Sequence, residues 1–424
     1  MKEQILQALK INQIETYLIN EAEVESVELF FVKKELDMSR MKKVTHYVVN
    51  VFRDFEKDGT KMRGSATAKI YPSMSYEEVD DTLKDAYYAA SFVNNLYYPL
   101  PKGEKEDRIC TQTSLASYSL EECIRKLTDA LFKYDTQEET FINSSEVFVE
   151  KRTIHILNSE GIDVSYEKYC AKGEFVVQCR VPQDVETYHD FYYENLECEA
   201  LALKVKGALE TTALRAQAKD NPRTGKYKVI LSDIHIATLL DYYTFKSASS
   251  MVYPKYSNFK VEDCVQGEDV KGDKLNIILK ATDPYSGEGI KMVDRVLLQD
   301  GVLKTIHGAC KFAHYLGIEP TGSYGTVKVA EGTHTLEEMK QGTYLEVLSF
   351  SDFQIDPFTG DFGGEMRLAL YHEGDKVTPL TGGSISGNIQ EVQHNLMLSK
   401  ECQVRKGYEG PVSICLEDIM VAGE

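Results

Sequence analysis

The chain contains no tryptophan and no Cys-x-x-Cys pair, and it lacks a run of about 18 apolar residues, the length a membrane-spanning helix requires. Its nine cysteines are scattered and odd in number, which argues against a disulfide framework and against a structural zinc knuckle. The N-terminus has no apolar segment of signal-peptide length. Because dispersed thiols are typical of a reducing compartment, we expect a cytoplasmic protein.

Positive charge is also scarce, since 48 Lys and Arg residues face 67 Asp and Glu residues and the net charge is −19. A surface this acidic repels phosphate groups, and no Lys/Arg cluster offsets the repulsion. We therefore expect neither direct nucleic-acid binding nor membrane binding. The composition is otherwise that of a globular protein, and 424 residues are enough for two domains.

The first half combines helical and strand-like patterns. Ser75 is followed three residues later by Glu78, and Ser119 by Glu122. This spacing is the capping box that begins a helix, and apolar residues then recur at helical spacing after each serine. We also expect strands at residues 24–32, 45–52, 147–157, 162–166 and 174–181, and a helix at residues 193–218.

A Pro/Gly-rich stretch from Asn221 to Gly225 separates this half from one dominated by short strands and glycine turns. The sequence therefore predicts an α+β fold of two domains. These are a mixed helix–sheet N-terminal domain, residues 1–222, and a β-rich C-terminal domain, residues 223–424. In the latter we expect strands at residues 227–231, 274–278, 294–298, 343–349 and 366–371, and helices at residues 237–245, 310–315, 336–340 and 389–396.

No complete catalytic, cofactor-binding or metal-binding signature occurs. His372-Glu373 begins a zinc-hydrolase motif, but no second histidine follows at the required spacing. His307 and His314 are seven residues apart, but Gly308 lies between them and no acidic residue completes a ligand set. The glycine-rich segment from Gly360 to Glu365 lacks the Lys-Ser/Thr sequel of a phosphate-binding loop. We therefore expect this chain to hold no catalytic residue, cofactor or metal ion of its own.

Several short segments resemble the TldD/PmbA family in their order and spacing. The clearest are Asp356-Pro357-Phe358-Thr359-Gly360-Asp361-Phe362 and the stretch from Thr381 to Ile389. Weaker matches support them, and the resemblance extends from about residue 24 to about residue 420. The weaker segments are Asn158–Gly161, Thr224–Tyr227, Gly301–Lys304, Leu316-Gly317 and Thr321-Gly322.

The resemblance implies one of two subunit types. In that family, one type carries His-Glu-x-x-x-His on a helix and binds zinc, whereas the other lacks the motif and partners the first. Gap-free matching after Val229 places Asp241 and Tyr242 at the His-Glu pair and Lys246 at the second histidine. Tyr242 is a poor base, because the reference pKa of tyrosine is about 10. Cys402 lies near the cysteine ligand of the active subunits and is a possible remnant of the site.

The resemblance thus implies a non-catalytic, PmbA/TldE-like subunit of a two-subunit zinc metalloprotease that acts on peptides and unfolded small proteins. Zinc would be carried by a TldD-type homologue, and this chain would form a dimer with that homologue or with a second copy. Two alternatives remain open: a self-sufficient hydrolase with an unrecognised site, and a non-enzymatic binding protein that regulates DNA gyrase, since an older family name is modulator of DNA gyrase. Zinc content tests the first alternative, and partner capture tests the second.

Overall fold

The computed structural model describes residues 1–103 and 105–424. The α+β class is confirmed, with 22% of the residues helical and 44% in strands, and the described strands form three sheets. Within the described residues, no helix has both the length and the apolar character needed to cross a membrane. The described helices are α1 (Lys2–Ile11), α2 (Tyr76–Ala90), α3 (Leu120–Leu131), α4 (Cys198–Gln217), α5 (Ile234–Lys246), α6 (Ser249–Val252), α7 (Cys310–Leu316), α8 (Leu336–Met339) and α9 (Ile389–Val392).

The first half is built on one eight-stranded sheet. Its strands are β1 (Thr16–Val32), β2 (Glu35–Lys57), β3 (Thr60–Ile70), β4 (Asn95–Leu96), β5 (Ile109–Cys110), β6 (Thr140–Asn158), β7 (Asp163–Cys179) and β8 (Val185–Tyr193). The order is β4-β3-β2-β1-β6-β7-β5, and β8 pairs with another part of β7. Because β8 is a strand and α4 begins at Cys198, the expected helix start at residue 193 is wrong.

Helices cover one face of this sheet. Side chains alternate along a strand, so Ile19 and Val27 of β1 point to the same side. Ile19 belongs to an apolar cluster with residues of α1 and α2, and Val27 to a second cluster with residues of α3 and α4. Burial of these two clusters supplies the main favourable free energy for folding this half.

The second half contains two further sheets. One has the order β12-β11-β10-β13-β20-β19, and the other the order β14-β9-β21-β17-β15-β16. The strands are β9 (Gly225–Ser232), β10 (Ile277–Leu279), β11 (Arg295–Gln299), β12 (Val302–Leu303), β13 (Val327–Val329), β14 (Tyr344–Ile355), β15 (Asp361–Glu373), β16 (Lys376–Leu380), β17 (Ser384–Asn388), β18 (Met397–Leu398), β19 (Cys402–Arg405), β20 (Tyr408–Pro411) and β21 (Ser413–Ala422).

An additional pairing between β14 and β15 closes five strands of the last sheet into a ring. Helix α5 follows β9 directly and packs its apolar side into the same core as the ring. Leu239, Leu240 and Tyr243 of α5 are almost fully buried there beside Val229 of β9. The helix is therefore held in place along its length by the largest core of the molecule.

An apolar contact joins residues from the two halves of the chain. Leu18 and Tyr166 of the first sheet belong to one buried cluster with Tyr285 and Cys310 of the second half. Near this cluster, Lys168 forms an ion pair with Asp283, with the nearest oxygen 2.7 Å from Nζ. The division of the chain after residue 222 into two domains remains a prediction.

Candidate functional site

Helix α5 carries the three positions that sequence matching assigns to a degenerate metal site. Tyr242 and Lys246 are four residues apart, so both lie on the buried face of the helix. Asp241 is one residue earlier, and its side chain is exposed. The protein around the Asp241 carboxyl nevertheless raises the pKa of that group by desolvation.

Tyr242 is part of the core and not of an open site. Only 3% of the residue is exposed. Its ring meets those of Tyr243 and Phe259 edge-on, at centroid distances of 5.4 and 6.1 Å. Burial raises the pKa of Tyr242 above its ordinary value, which disfavours the phenolate. The side chain cannot replace a glutamate that removes a proton at neutral pH.

Lys246 presents a buried ammonium group to two backbone carbonyls. Its Nζ donates to the oxygens of Tyr256 and Phe358 at 3.3 and 3.4 Å. It also lies 5.9 Å from the ring centroid of Tyr242 and 5.9 Å from that of Phe259. Within the described part of the chain, no carboxylate lies within ion-pair distance of Lys246, and desolvation lowers its pKa.

The turn that carries the family-like motif lies directly against these residues. Asn388 donates to the carbonyl of Thr359 at 3.1 Å and to the Asp361 carboxylate at 2.8 Å, and the Ile389 amide donates to Gly360 at 2.8 Å. The two motif segments, distant in the sequence, thus form one hydrogen-bonded unit.

Gly360 allows this unit to approach α5. Its φ of +82° is in the left-handed region that favours glycine. A Cβ at this position would lie 2.8 Å from a methyl carbon of Ile389 and 3.3 Å from Cε2 of Tyr242. The turn can pack on Tyr242 only because residue 360 has no side chain.

Cys402 lies on β19 and is exposed. Its Sγ donates to the carbonyl of Lys400 at 3.6 Å. Desolvation raises the pKa of the thiol, and the nearby charges are those of Glu331, Lys328 and the acidic residues beside it in sequence and on β20. None of these neighbours is on α5, so Cys402 has no described contact with Asp241, Tyr242 or Lys246.

These side chains do not fit a zinc ion. Zinc sites use neutral histidine, thiolate or carboxylate ligands, and a catalytic site needs three of them. Lys246 instead brings a cation and Tyr242 a buried phenol. Over residues 1–103 and 105–424, no group of three His, Cys, Asp or Glu side chains could hold a metal ion.

The other histidines considered from the sequence have local roles. His307 is buried and its Nε2 lies 3.0 Å from the carbonyl of Thr244, while burial lowers its pKa. It precedes α7, so it does not share a helix with His314. His372 lies in β15, stacked on Tyr344 with ring centroids 4.2 Å apart. Neither arrangement resembles a metal-binding pair.

Sequence reasoning missed the groups that surround Lys246. The carbonyls of Tyr256 and Phe358 and the ring of Phe259 come from segments with no motif spacing relative to α5. Backbone carbonyls are present at every position, so the sequence contains no signal for their use here.

Comparisons with known proteins agree with the motif resemblance. Residues 224–423 match the model of the PmbA/TldA metallopeptidase C-terminal domain. The chain is 24% identical over 366 residues to an uncharacterised protein of Methanocaldococcus jannaschii, with 79% of this chain and 80% of that protein covered. It is 25% identical over 228 residues to the metalloprotease PmbA of Escherichia coli O157:H7, with 50% of each chain covered.

Solved structures share the fold over the full length. TldE from Thermococcus kodakarensis superposes with a TM-score of 0.77 at 18% identity, with 100% of both chains covered. A proposed modulator of a DNA gyrase from Thermotoga maritima gives 0.73 at 18% identity, covering 99% of each chain. A similar protein from Bacteroides thetaiotaomicron gives 0.76 at 18% identity. At this identity the likeness shows the shared fold.

Proposed function

The chain belongs to the TldD/PmbA family, and we propose that it is a non-catalytic, PmbA/TldE-like subunit of a two-subunit zinc metalloprotease acting on peptides and unfolded small proteins. The observation that carries the proposal is the environment of Lys246. Its ammonium group fills the position expected for a zinc-binding histidine and is engaged by two backbone carbonyls. A cation at this place opposes metal binding by charge as well as by geometry.

The proposal assigns the chemistry to a zinc-bearing homologue. With Tyr242 packed in the core, the three metal-motif positions of α5 offer no general base and only one carboxylate, that of Asp241. A subunit of this kind can contribute by burying surface against its partner and by shaping a space for substrate. We expect a dimer with the TldD-type homologue, or with a second copy in its absence, that buries well over ~1,000 Å².

Terminal strands support the choice of an extended substrate. In the described pairing, β8 ends the first sheet on one side and β19 ends the second sheet. An extended peptide can add to such an edge through main-chain hydrogen bonds, which provide affinity without demanding a particular sequence. This mode suits unfolded proteins better than folded ones.

A cytoplasmic location and the absence of direct nucleic-acid binding belong to the same proposal. All nine cysteines are free thiols, which fits a reducing compartment. The net charge of −19 opposes contact with a phosphate backbone.

Elemental analysis of the purified chain tests the inactive-subunit assignment. We expect far less than one zinc per chain and no chelator-sensitive peptidase activity. About one tightly held zinc per chain, with activity that a chelator removes, would show that the chain is a self-sufficient hydrolase.

A further inference from the structure

A cavity of about 420 Å³ lies between the two halves of the chain, away from Tyr242 and Lys246. One wall is formed by β8 and α4 of the first half, and the other by the start of α5 and by β19. Its volume is within the range of small-molecule sites, about 300–1,000 Å³. The motifs discussed above do not account for it.

The cavity is rich in hydrogen-bond donors that carry positive charge. Lys204 of α4, Arg405 of β19 and Lys406 all line it. Lys204 has no carboxylate within ion-pair distance in the described part of the chain. Burial, together with the charge of Arg405, lowers the pKa of Lys204 to about 8. Its ammonium group is therefore poorly solvated and forms no ion pair with the residues that the structure describes, and the more distant charge of Asp190 opposes the shift only in part. An anionic ligand would relieve this combination.

Gln403 adds a donor of a different kind. Its Nε2 atom is enclosed and makes no hydrogen bond, although buried amide groups are nearly always paired. The side chain lines the same cavity as Lys204. An acceptor atom of a ligand would satisfy this amide.

The beginning of α5 contributes a favourable dipole. Asp233 precedes the helix with φ of +67°, and its side chain makes no capping hydrogen bond. Instead, the Asp233 carboxylate contacts the guanidinium of Arg405. The open N–H groups of the first helical turn carry partial positive charge, which adds to that of Lys204.

The opposing charge in the wall is smaller than the positive charge. Asp190 and Asp233 are the carboxylates that line the cavity, and three cations face them, Lys204, Arg405 and Lys406. The cavity therefore carries more cations than carboxylates, although the net charge of the protein is −19. Tyr192 and Tyr193 provide aromatic surface beside these groups, which suits an organic anion.

We propose that this cavity binds the free carboxylate end of a peptide, with the Lys204 ammonium, the Gln403 amide and the first turn of α5 as its contacts. The identity of the ligand as a peptide rests on the function proposed above. The site lies beside β8 and β19, so a peptide held by its carboxylate would extend along one of these terminal strands.

Binding of one labelled peptide to the chain alone tests the proposal. A short unstructured peptide with fluorescein at its N-terminus is prepared both as the free acid and as the C-terminal amide. We expect the acid to bind about 10- to 100-fold more tightly, the ratio given by one or two charge-assisted hydrogen bonds. In Lys204→Met the acid and the amide should bind within about twofold of each other.

Lys206→Met is the matched control. Lys206 lies on the same helix, interacts with Glu210 and does not line the cavity, so this variant should keep the preference for the acid. Equal binding of acid and amide to the unaltered chain would overturn the proposal. So would equal loss in both lysine variants, or competition by inorganic phosphate as strong as that by unlabelled acid peptide.

The result is independent of the two-subunit proposal, because no partner is present. If the chain prefers the acid but does not change the peptidase activity of a zinc-bearing homologue, the binding site is supported and the subunit function is contradicted. If the chain raises the activity of the homologue but binds acid and amide equally, only the binding-site proposal is contradicted.

Discussion

Gap-free matching places Lys246 at the second histidine of the zinc motif, and that assignment remains a prediction. A buried ammonium without a carboxylate pays a desolvation cost that two long hydrogen bonds to carbonyls offset only in part. Because folding lowers its pKa, this cost is present at pH values below the folded-state pKa of Lys246. It diminishes as the pH rises through the folded-state pKa towards the ordinary value near 10.4.

We therefore predict that Lys246→Met leaves the free energy of unfolding at pH 7 unchanged or raises it by about 1–2 kcal/mol, since methionine fills similar volume without charge. Lys246→Ala should instead lower it by about 1–3 kcal/mol, because it leaves space beside Tyr242 and Phe259. Urea unfolding of the three proteins measures both effects. A loss above about 2 kcal/mol in the methionine variant would mean that the ammonium itself stabilises the fold.

His155 joins two carboxylates on the first sheet. Its ring nitrogens lie 3.2 Å from Glu21 and 2.6 Å from Asp163. The hydrogen bond with Glu21 is the largest cause that raises the pKa of His155, and His155 in turn lowers the pKa of both carboxyl groups. Folding therefore favours the protonated imidazole between two ionised carboxylates.

The sign of the pH dependence follows from these shifts. The stabilisation from His155 is fully present below its ordinary pKa of about 6.5 and is lost as the pH rises through the raised folded-state value. The contribution of the carboxylates is lost as the pH falls below about 4. We expect His155→Gln to lower the free energy of unfolding by about 1–2 kcal/mol near pH 5.5 and by less near pH 8.5. Denaturant titrations at both pH values measure this difference, and an equal loss at each would contradict it.

Among the elements, the helices with capping boxes are the best determined by local sequence. At the start of α3, Ser119 Oγ accepts from the Glu122 amide at 3.2 Å, and the Ser119 amide donates to the Glu122 carboxylate at 3.1 Å. Ser75 and Glu78 repeat both bonds at α2. Since the partners are three residues apart, the pattern could be identified without knowledge of the fold.

Ser119→Ala should therefore cost about 1 kcal/mol of stability, within the usual range of 0.5–2 kcal/mol for a lost N-cap. Ser117→Ala is the control, because Ser117 is exposed and makes no side-chain hydrogen bond among the described contacts. Chemical unfolding curves compare the two variants. If both lose the same amount, the cap contributes nothing specific.

Elements that depend on distant partners were less predictable. Residues 185–193 form β8 by pairing along β7. The sequence analysis does not predict a strand there, although Val185, Thr187 and Phe191 are residue types that strands favour. The strand expected at residues 45–52 is the middle of β2, which begins at Glu35. The exposed residues 35–41 lack the alternation of apolar and polar side chains that identifies a half-buried strand.

In the candidate site, too, local sequence was informative and long-range contacts could not be predicted. The sequence assigns Asp241, Tyr242 and Lys246 to the metal-motif positions by gap-free matching after β9, and this assignment remains a prediction. The sequence could not predict that the carbonyls of Tyr256 and Phe358 would receive Lys246, since that depends on two turns meeting α5 in space. Pairing of β14 with both β9 and β15, which closes the ring behind α5, is likewise a long-range event.

At the scale of the whole molecule, the fold of the family is present while the arrangement on α5 differs from a metal site. The core that holds α5, the motif turn from Asp356 to Gly360 and the contact between the two halves are all formed. We therefore predict that the chain associates through a surface that does not depend on Tyr242 or Lys246.

Reconstitution of peptidase activity tests this account most directly. Increasing amounts of the chain are added to a TldD-type homologue loaded with zinc, and cleavage of an unfolded peptide substrate is followed. We expect no activity from this chain alone and activity that rises with its concentration until the two subunits are equimolar, with Lys246→Met behaving like the unaltered chain. Cleavage by this chain alone, or activity of the homologue that does not respond to it at any ratio, would contradict the account.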